Sequence, residues 1–388
     1  MMTDAAPLAL YVHWPFCVSK CPYCDFNSHV RASVDQAAWR AALLVDLAHE
    51  AQALPGRRLG SIFFGGGTPS LMPPETVEAV IAAAVAAWPP VDNIEITLEA
   101  NPSSVEAARF ADLAAAGVNR VSLGLQALDD AALRFLGRAH DVCEGLAALL
   151  VAQKHFGRVS FDLIYARPQQ SLKAWLAELD RALGFGTEHL SLYQLTIEAG
   201  TRFATEAAAG RLTIPDADAA ADLFEATRAR TAAAGLPAYE ISNHARTGAQ
   251  SRHNLTYWRY GDYAGIGPGA HGRRGGLAIA RHKKPENWMA SIARAAHGIA
   301  EQTSLAPADR QTEAMLMGLR LGEGVDLARI AAFNAKATAD IGALVNLAAL
   351  ARLSDQGLVE HRGDRLRATE SGMLVLNAIL AALLAPSA

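Results

Sequence analysis

The sequence has little of what would place it in several large protein classes. Only four cysteines occur in 388 residues. Three of them, Cys17, Cys21 and Cys24, fall within eight positions, and Cys143 stands alone. A disulfide framework is spread through a small secreted chain, which this is not. Positive charge is not in excess: 35 Lys and Arg against 39 Asp and Glu give a formal net charge of −4, without the basic field of a nucleic-acid-binding chain. Long hydrophobic runs are also missing. The longest apolar tract, LNAILAALLAPSA at 376–388, is too short to span a bilayer. The N-terminus lacks a basic start followed by a long apolar run, which reads against a signal peptide. No internal repeat and no low-complexity linker interrupts the chain. The expectation is a cytoplasmic chain with no transmembrane segment and no nucleic-acid partner.

Half the residues are apolar and 19% are charged, and the abundant alanine favours helix. From residue 8 to about 197, short apolar runs alternate with helical patterns. LALYVHW precedes a helix over 34–54, and SIFF one starting near Pro73. IEITLE precedes a helix over 104–115, and VNRVSLGL helices over 129–136 and 146–155. VSFDLIY precedes a helix over 172–183, and HLSLYQL closes the series. Six β–α units in succession predict a parallel sheet covered by helices, an α/β fold. Periodicity alone leaves open whether the units close into a full barrel. Residues 201–300 are less regular. Residues 301–388 return to helix, with a helix end, a hairpin and a last helix resembling a small winged-helix module. The domain reading is therefore 1–200, 201–300 and 301–388.

CVSKCPYC, a C-x3-C-x2-C arrangement, follows the first predicted strand. Thiolates are soft ligands suited to iron–sulfur clusters. Three of them on one loop can bind three irons of a cubane and leave the fourth open to a small molecule. A zinc site would need a fourth ligand, which His13 or His29 could supply. A second motif is SIFFGGGTPS, where a strand runs into Gly65, Gly66 and Gly67 and then Thr68-Pro69. Glycines allow close backbone approach. Thr68 reads as an N-cap with Pro69 at the first helical position, and amides exposed there suit a charged or zwitterionic group. The loop lacks both the Gly-Lys-Ser/Thr ending of a Walker A motif and the G-x-G-x-x-G spacing. Taken alone, it could equally be a structural turn.

YVHWPFCVSKCPYCDFNSH together with FFGGGTPS resembles the radical S-adenosylmethionine (SAM) family. The closer likeness is to the branch holding oxygen-independent coproporphyrinogen III oxidase and the HemW-type heme chaperones, over residues 8–380. The resemblance implies a partial (β/α)6 barrel with a smaller C-terminal α+β, winged-helix-like domain. It implies a [4Fe-4S] cluster on Cys17, Cys21 and Cys24, with SAM chelating the open iron. It carries SAM contacts onto Tyr11, Tyr23, Gly67 and Thr68, and onto Glu99 in LEANPSS, Gln126 in SLGLQAL, Arg138 in LGRAHD and Asp162 in FDLIYARP. These residue types suit the work. A carboxylate at a strand end can accept from an amine or a ribose hydroxyl, and an arginine can pair with SAM's carboxylate. Sites in barrel-like folds gather at the C-terminal ends of strands. Asp162, inside an apolar run, needs a partner if buried. The bland reading of each is a surface or capping polar residue.

The oxidase pattern calls for another cysteine two residues after Cys24, where this chain has Phe26. HNLTYW at 253–258 matches the chaperone signature linked to heme binding, with His253 as axial ligand and Tyr257 and Trp258 against the porphyrin. The bland reading of His253 is a core histidine, and His271 is a second candidate. The resemblance thus favours a heme chaperone whose partners are heme and heme-accepting proteins, including those of the respiratory membrane. The rival is a coproporphyrinogen III oxidase working by radical decarboxylation. Cys143 reads as a partly buried, unligated thiol. Arg352, Arg362, Arg365 and Arg367 in the last module could touch a partner or heme propionates.

Overall fold

A computed structural model of the chain describes residues 6–31, 33–334 and 341–384. Six parallel strands form its centre: β1 (Leu8–Trp14), β2 (Leu59–Gly66), β3 (Pro90–Ala100), β4 (Arg120–Gln126), β5 (Arg158–Tyr165) and β6 (His189–Gln194), hydrogen-bonded in that order. Every residue of β1 except Tyr11 is buried, as expected where helices cover one face and a filled interior the other. Helices at Gln36–Ala53, Pro74–Ala87, Val142–His155 and Leu172–Leu183 match the sequence expectations closely. Asp35, Asp141 and Ser171 cap the first, third and fourth, each accepting a backbone N–H three residues on.

The helix expected over 104–115 is two, Ser104–Ala107 and Phe110–Ala115. The break falls at Arg109, whose guanidinium is drawn back onto the carbonyls of Ser70, Leu71 and Met72 (3.2, 3.5 and 2.7 Å). The barrel is partial. Beyond β6 lies the antiparallel strand Asn243–Ala245, and beyond β1 the parallel strand Tyr263–Ile266 followed by three antiparallel strands ending at Ser304. The sequence-irregular stretch 201–300 thus extends the same sheet at both edges.

One edge is pinned by charge. Asp46 and Glu50 of helix Gln36–Ala53 are buried. Arg281 meets Asp46 at 2.7 Å and Glu50 at 2.9 Å, and Arg274 meets Glu50 at 2.7 Å. Asp46 also accepts from the N–H groups of Gly267 and Gly298 and from Trp288. Paired buried charge of this kind is costly to break. The C-terminal part has its own core, with a three-stranded antiparallel sheet of Val325–Asp326, Arg365–Ala368 and Val359–Arg362. Helices Leu347–Asp355 and Leu376–Leu383 pack beside it. Among the described residues, no helix is long and apolar enough to cross a membrane.

Candidate functional site

The three cysteines lie half-buried on the loop leaving β1, over the C-terminal ends of the strands. The loop is tied down by a short parallel pairing of Phe16–Cys17 with His29–Val30 and by His13. That imidazole sits between Tyr11 Oη and Asn27 O, 2.9 Å from each. Because a carbonyl only accepts, Nε2 carries the ring proton and Nδ1 accepts from Tyr11. Burial keeps the ring neutral, lowering its pKa to about 4. His29 Nε2 faces Asn27 Oδ1 at 3.3 Å. Both histidines that could have completed a zinc site are therefore engaged elsewhere. Among the described residues, no three metal-ligating side chains converge as one ion requires, whereas a cubane spreads three thiolates over three irons.

The glycine loop works differently from its sequence reading. The amide of Gly66 donates to Glu99 Oε2 (3.2 Å), that of Gly67 to Trp14 O (2.7 Å) and that of Thr68 to Phe16 O (2.8 Å). The last two fasten the cysteine loop, and none of the three is free for an anion. The glycines are needed for close approach. Gly66 has φ 111°, and a Cβ there would lie 2.5 Å from the His13 ring; one on Gly67 would lie 2.7 Å from Phe16 O. Thr68 does not cap the following turn with its side chain. Its hydroxyl donates to Cys17 Sγ at 3.5 Å and accepts from Asn101 Nδ2 at 3.1 Å.

Asn101 is the residue the sequence reading missed. Its Oδ1 accepts from Arg138 at 2.6 Å, and another Arg138 nitrogen donates to Cys21 Sγ at 3.4 Å. A continuous chain, Cys17–Thr68–Asn101–Arg138–Cys21, thereby reaches two of the three sulfurs. Asn101 is itself held by Glu106, which accepts its N–H at 2.8 Å and the hydroxyl of Ser70. A signal was present in the sequence: Asn101 follows Glu99 by two at a strand exit and shares its face.

Glu99 and Asp162 reach the barrel interior from β3 and β5. Burial, and then the neighbouring Asp162, pushes Glu99 up to about 8. Burial pushes Asp162 up to about 6, against hydrogen bonds from Ser191 and Ser122 (the latter 3.2 Å). Those hydroxyls are the partners that its position demanded. Gln126, at the end of β4, holds a left-handed φ of 67°, a strained conformation typical of sites. Its Oε1 and the Nε of Arg138 are buried without a partner. Gly65 and Gly124 line the same space; a Cβ on either would press on Tyr11 and Glu99 or on Gln126 and Arg138. Orphaned polar atoms beside a glycine-lined cradle fit a small polar ligand next to the sulfurs. Tyr23 lies between Cys21 and Cys24 with its ring 6.4 Å from that of Phe203, and burial raises its phenol.

His253 is at the other end. It lies on helix Arg252–Trp258, with Nδ1 3.1 Å from Ser61 Oγ. Ser61 precedes Gly66 by five residues, about 16 Å along the strand. The ring is 5% exposed, stacked on Phe63 at 4.9 Å and flanked by Tyr11 and Tyr257. The helix start is caught by Glu95, which accepts from His253 N (3.2 Å) and pairs with Arg158 at 2.7 Å. His271 is exposed, as are Arg352, Arg362, Arg365 and Arg367; Arg362 and Arg367 pair with Glu360. Cys143 is exposed too, not partly buried, because it faces solvent in the first turn of its helix.

Residues 11–182 match the family profile described as the Radical SAM superfamily, and residues 305–375 that of the HemN C-terminal domain. The heme chaperone HemW of Escherichia coli is 37% identical, over 99% of this chain and 100% of its own length. This chain belongs to the radical SAM superfamily, in its HemW branch. The bovine mitochondrial radical S-adenosyl methionine domain-containing protein 1 is 42% identical, over 97% of this chain and 87% of its length. The solved structure of E. coli coproporphyrinogen III oxidase, HemN, superposes with a TM-score of 0.81 over 98% of this chain and 90% of that one, at 23% identity, which establishes the shared fold. The family implies a 4Fe-4S cluster and SAM, and the half-buried thiols, the two donors aimed at them and the orphaned atoms beside them are compatible with both.

Proposed function

We propose that the protein is a heme chaperone, holding a 4Fe-4S cluster on Cys17, Cys21 and Cys24 with SAM beside it, and passing heme to acceptor proteins. The full-length similarity to the E. coli heme chaperone carries this reading. Phe26 supports it against the oxidase: an exposed phenyl stands where that enzyme's resemblance calls for a cysteine. Bound SAM, chelating the open iron, would supply a source of radical chemistry or a ligand that gates the cluster.

Each SAM residue has a task its surroundings support. Arg138, with Nε unpartnered, would pair with the SAM carboxylate. Glu99, Gln126 and Asp162 would accept from its amine and ribose hydroxyls. Tyr23 would lie against adenine. Tyr11, Gly67 and Thr68 would shape the pocket and hold the loop. His253 is the proposed heme ligand. Its enclosure by Tyr11, Phe63 and Tyr257 means that iron reaches the nitrogen not held by Ser61 only after helix Arg252–Trp258 withdraws. The proposed acceptors include heme proteins of the respiratory membrane, met from the cytoplasm.

The test is anaerobic reconstitution with iron and sulfide, then heme titration of wild type and His253→Ala. The reading expects a 4Fe-4S spectrum and one-to-one heme binding that the variant weakens. Heme binding no tighter than to an unrelated protein, or turnover of coproporphyrinogen III, would overturn it.

A further inference from the structure

Thr68 and Arg138 serve the sulfurs of Cys17 and Cys21, and neither reaches Cys24. Beside Cys24 lies a buried group that the site has not yet used. The hydroxyl oxygen of Ser28 is shut off from solvent and makes no directed hydrogen bond, yet it faces the sulfurs of both Cys17 and Cys24. Burial raises both thiols, and the hydroxyl opposes that rise by favouring their ionised forms. No other side chain donates to Cys24 among the described residues. The backbone fixes the hydroxyl where it is. Ser28 N–H donates to Phe26 O at 2.7 Å, closing a tight turn. On one side of it, His29 and Val30 pair with Phe16 and Cys17. On the other, Asn27 is held at every polar atom of its side chain and at its carbonyl. Its Nδ2 donates to Pro268 O (3.0 Å) and Lys283 O (2.9 Å), its Oδ1 faces His29 Nε2 (3.3 Å), and its carbonyl accepts from His13 Nε2 (2.9 Å).

We propose that the Ser28 hydroxyl is the hydrogen-bond donor to the cluster on its Cys24 side, and that it holds the cluster's reduction potential up. The inference rests on the cluster assignment, not on heme binding. A buried polar group left unpaired in a folded chain needs a cause. Here the cause is chemical. A neutral thiol is a weak acceptor, whereas a thiolate, the form that binds iron, takes a stronger, charge-assisted bond. A hydroxyl locked between two thiols therefore finds its partner only when those sulfurs ionise onto iron. The proton stays on the oxygen throughout. Reduction adds one negative charge to the cluster, and a donor to its sulfurs stabilises that charge, which raises the potential. Ser28 acts independently of the chain through Asn101, which ends at Cys17 and Cys21 and shares no residue with the turn that carries Ser28.

The experiment uses the full chain, anaerobically reconstituted with iron and sulfide and free of heme, as wild type, Ser28→Ala, Ser28→Thr and Ser28→Val. Ser19→Ala, at an exposed serine of the same loop, is the control. Iron content and the absorption spectrum report cluster assembly. Electron paramagnetic resonance then gives the ratio of reduced to oxidised cluster at one fixed potential, set at the wild-type midpoint. The proposal expects Ser28→Ala to assemble its cluster and to lower that ratio about threefold or more. Ser28→Thr keeps the hydroxyl and should stay near wild type, while Ser19→Ala changes nothing. Resonance Raman supplies a second readout: the iron–thiolate stretches should shift on transfer to D2O in wild type and less so in Ser28→Ala. Should the alanine variant fail to hold a cluster, threonine against valine, equal in size and different in the hydroxyl, decides the matter, with valine expected to lower the ratio. An unchanged ratio in Ser28→Ala, an equal fall in Ser19→Ala, or equal ratios in the threonine and valine variants would overturn the proposal and leave the chaperone reading untouched. A wild type that later binds no heme would sink the chaperone reading and leave this one standing. A chain that assembles no cluster, visible at once in its spectrum, would remove both.

Discussion

At the residue scale, the cysteine spacing marked the loop that carries the three thiols, but what surrounds the sulfurs was only partly legible. Thr68 reads as a cap in sequence because threonine before proline usually is one. Its hydroxyl instead joins a chain whose centre is Asn101. Hydrogen bonds to cluster sulfurs raise the reduction potential, and Asn101 orients both donors, Thr68 and Arg138. Asn101→Leu, close in volume but without hydrogen-bonding groups, is expected to leave cluster content intact and make the potential more negative. Asn101→Asp keeps the acceptor for Arg138 and should fall between. A redox titration followed by electron paramagnetic resonance reads the shift, and equal potentials in all three proteins would show the chain to be structural only.

Glu99 gives a second test at this scale. A glutamate in the unfolded chain ionises near 4.5, while Glu99 in the fold ionises near 8. Between those values the unfolded state releases a proton that the folded state keeps, so stability falls as pH rises through this window. Glu99→Gln removes the penalty. The ligand-free variant should melt above wild type at pH 8 to 9, by an amount on the order of a few kcal/mol in stability, and match it near pH 5. SAM affinity should move the other way, because the acceptor is lost. A variant that melts lower at high pH would mean that Glu99 is ionised and paired in the fold.

At the element scale, the β–α alternation was readable because both periods are strong: apolar strands buried on two faces, and helices with clear caps at Asp35, Asp141 and Ser171. What escaped was the assignment of 243–304 to the same sheet. Those strands are short, and β–α alternation stops there, so nothing local marks them as partners of β1 and β6. The same non-locality hides the position of helix Arg252–Trp258, fixed by Glu95, Ser61 and Phe63, all more than 150 positions away. A column of contacts now links that helix to the cluster loop: His253 beside Tyr11, Tyr11 to His13, and His13 to Asn27. Any movement that frees His253 must unpack Tyr11, the side chain that fixes His13 under the cysteines. If His253 takes heme as proposed, this is a physical route by which heme arrival and the cysteine loop would sense each other.

At the scale of the whole molecule, the sequence invites a division near residue 200, yet the contacts do not stop there. Without residues beyond 245, β1 loses its edge partner Tyr263–Ile266, and helix Gln36–Ala53 loses both the arginines that pair with Asp46 and Glu50 and the residues Gly267, Trp288 and Gly298 that cover Asp46. The core packing lost with them is set against a domain's stability of only about 5–15 kcal/mol. A fragment ending at residue 245 is therefore expected to lack a cooperative melt, even though it holds all six parallel strands and all three cluster cysteines. A fragment ending at residue 304 keeps the eleven-stranded sheet and the charge clamp. It loses the contact of Tyr260 with Glu313 (2.6 Å) and bares the face that packs on the second core, and should melt cooperatively at a lower temperature. Circular dichroism melts of the two fragments separate the cases. A cooperative transition in the shorter one would mean that the six-stranded unit needs neither its edge strands nor its clamp, and that the buried charges serve only to seat the extension.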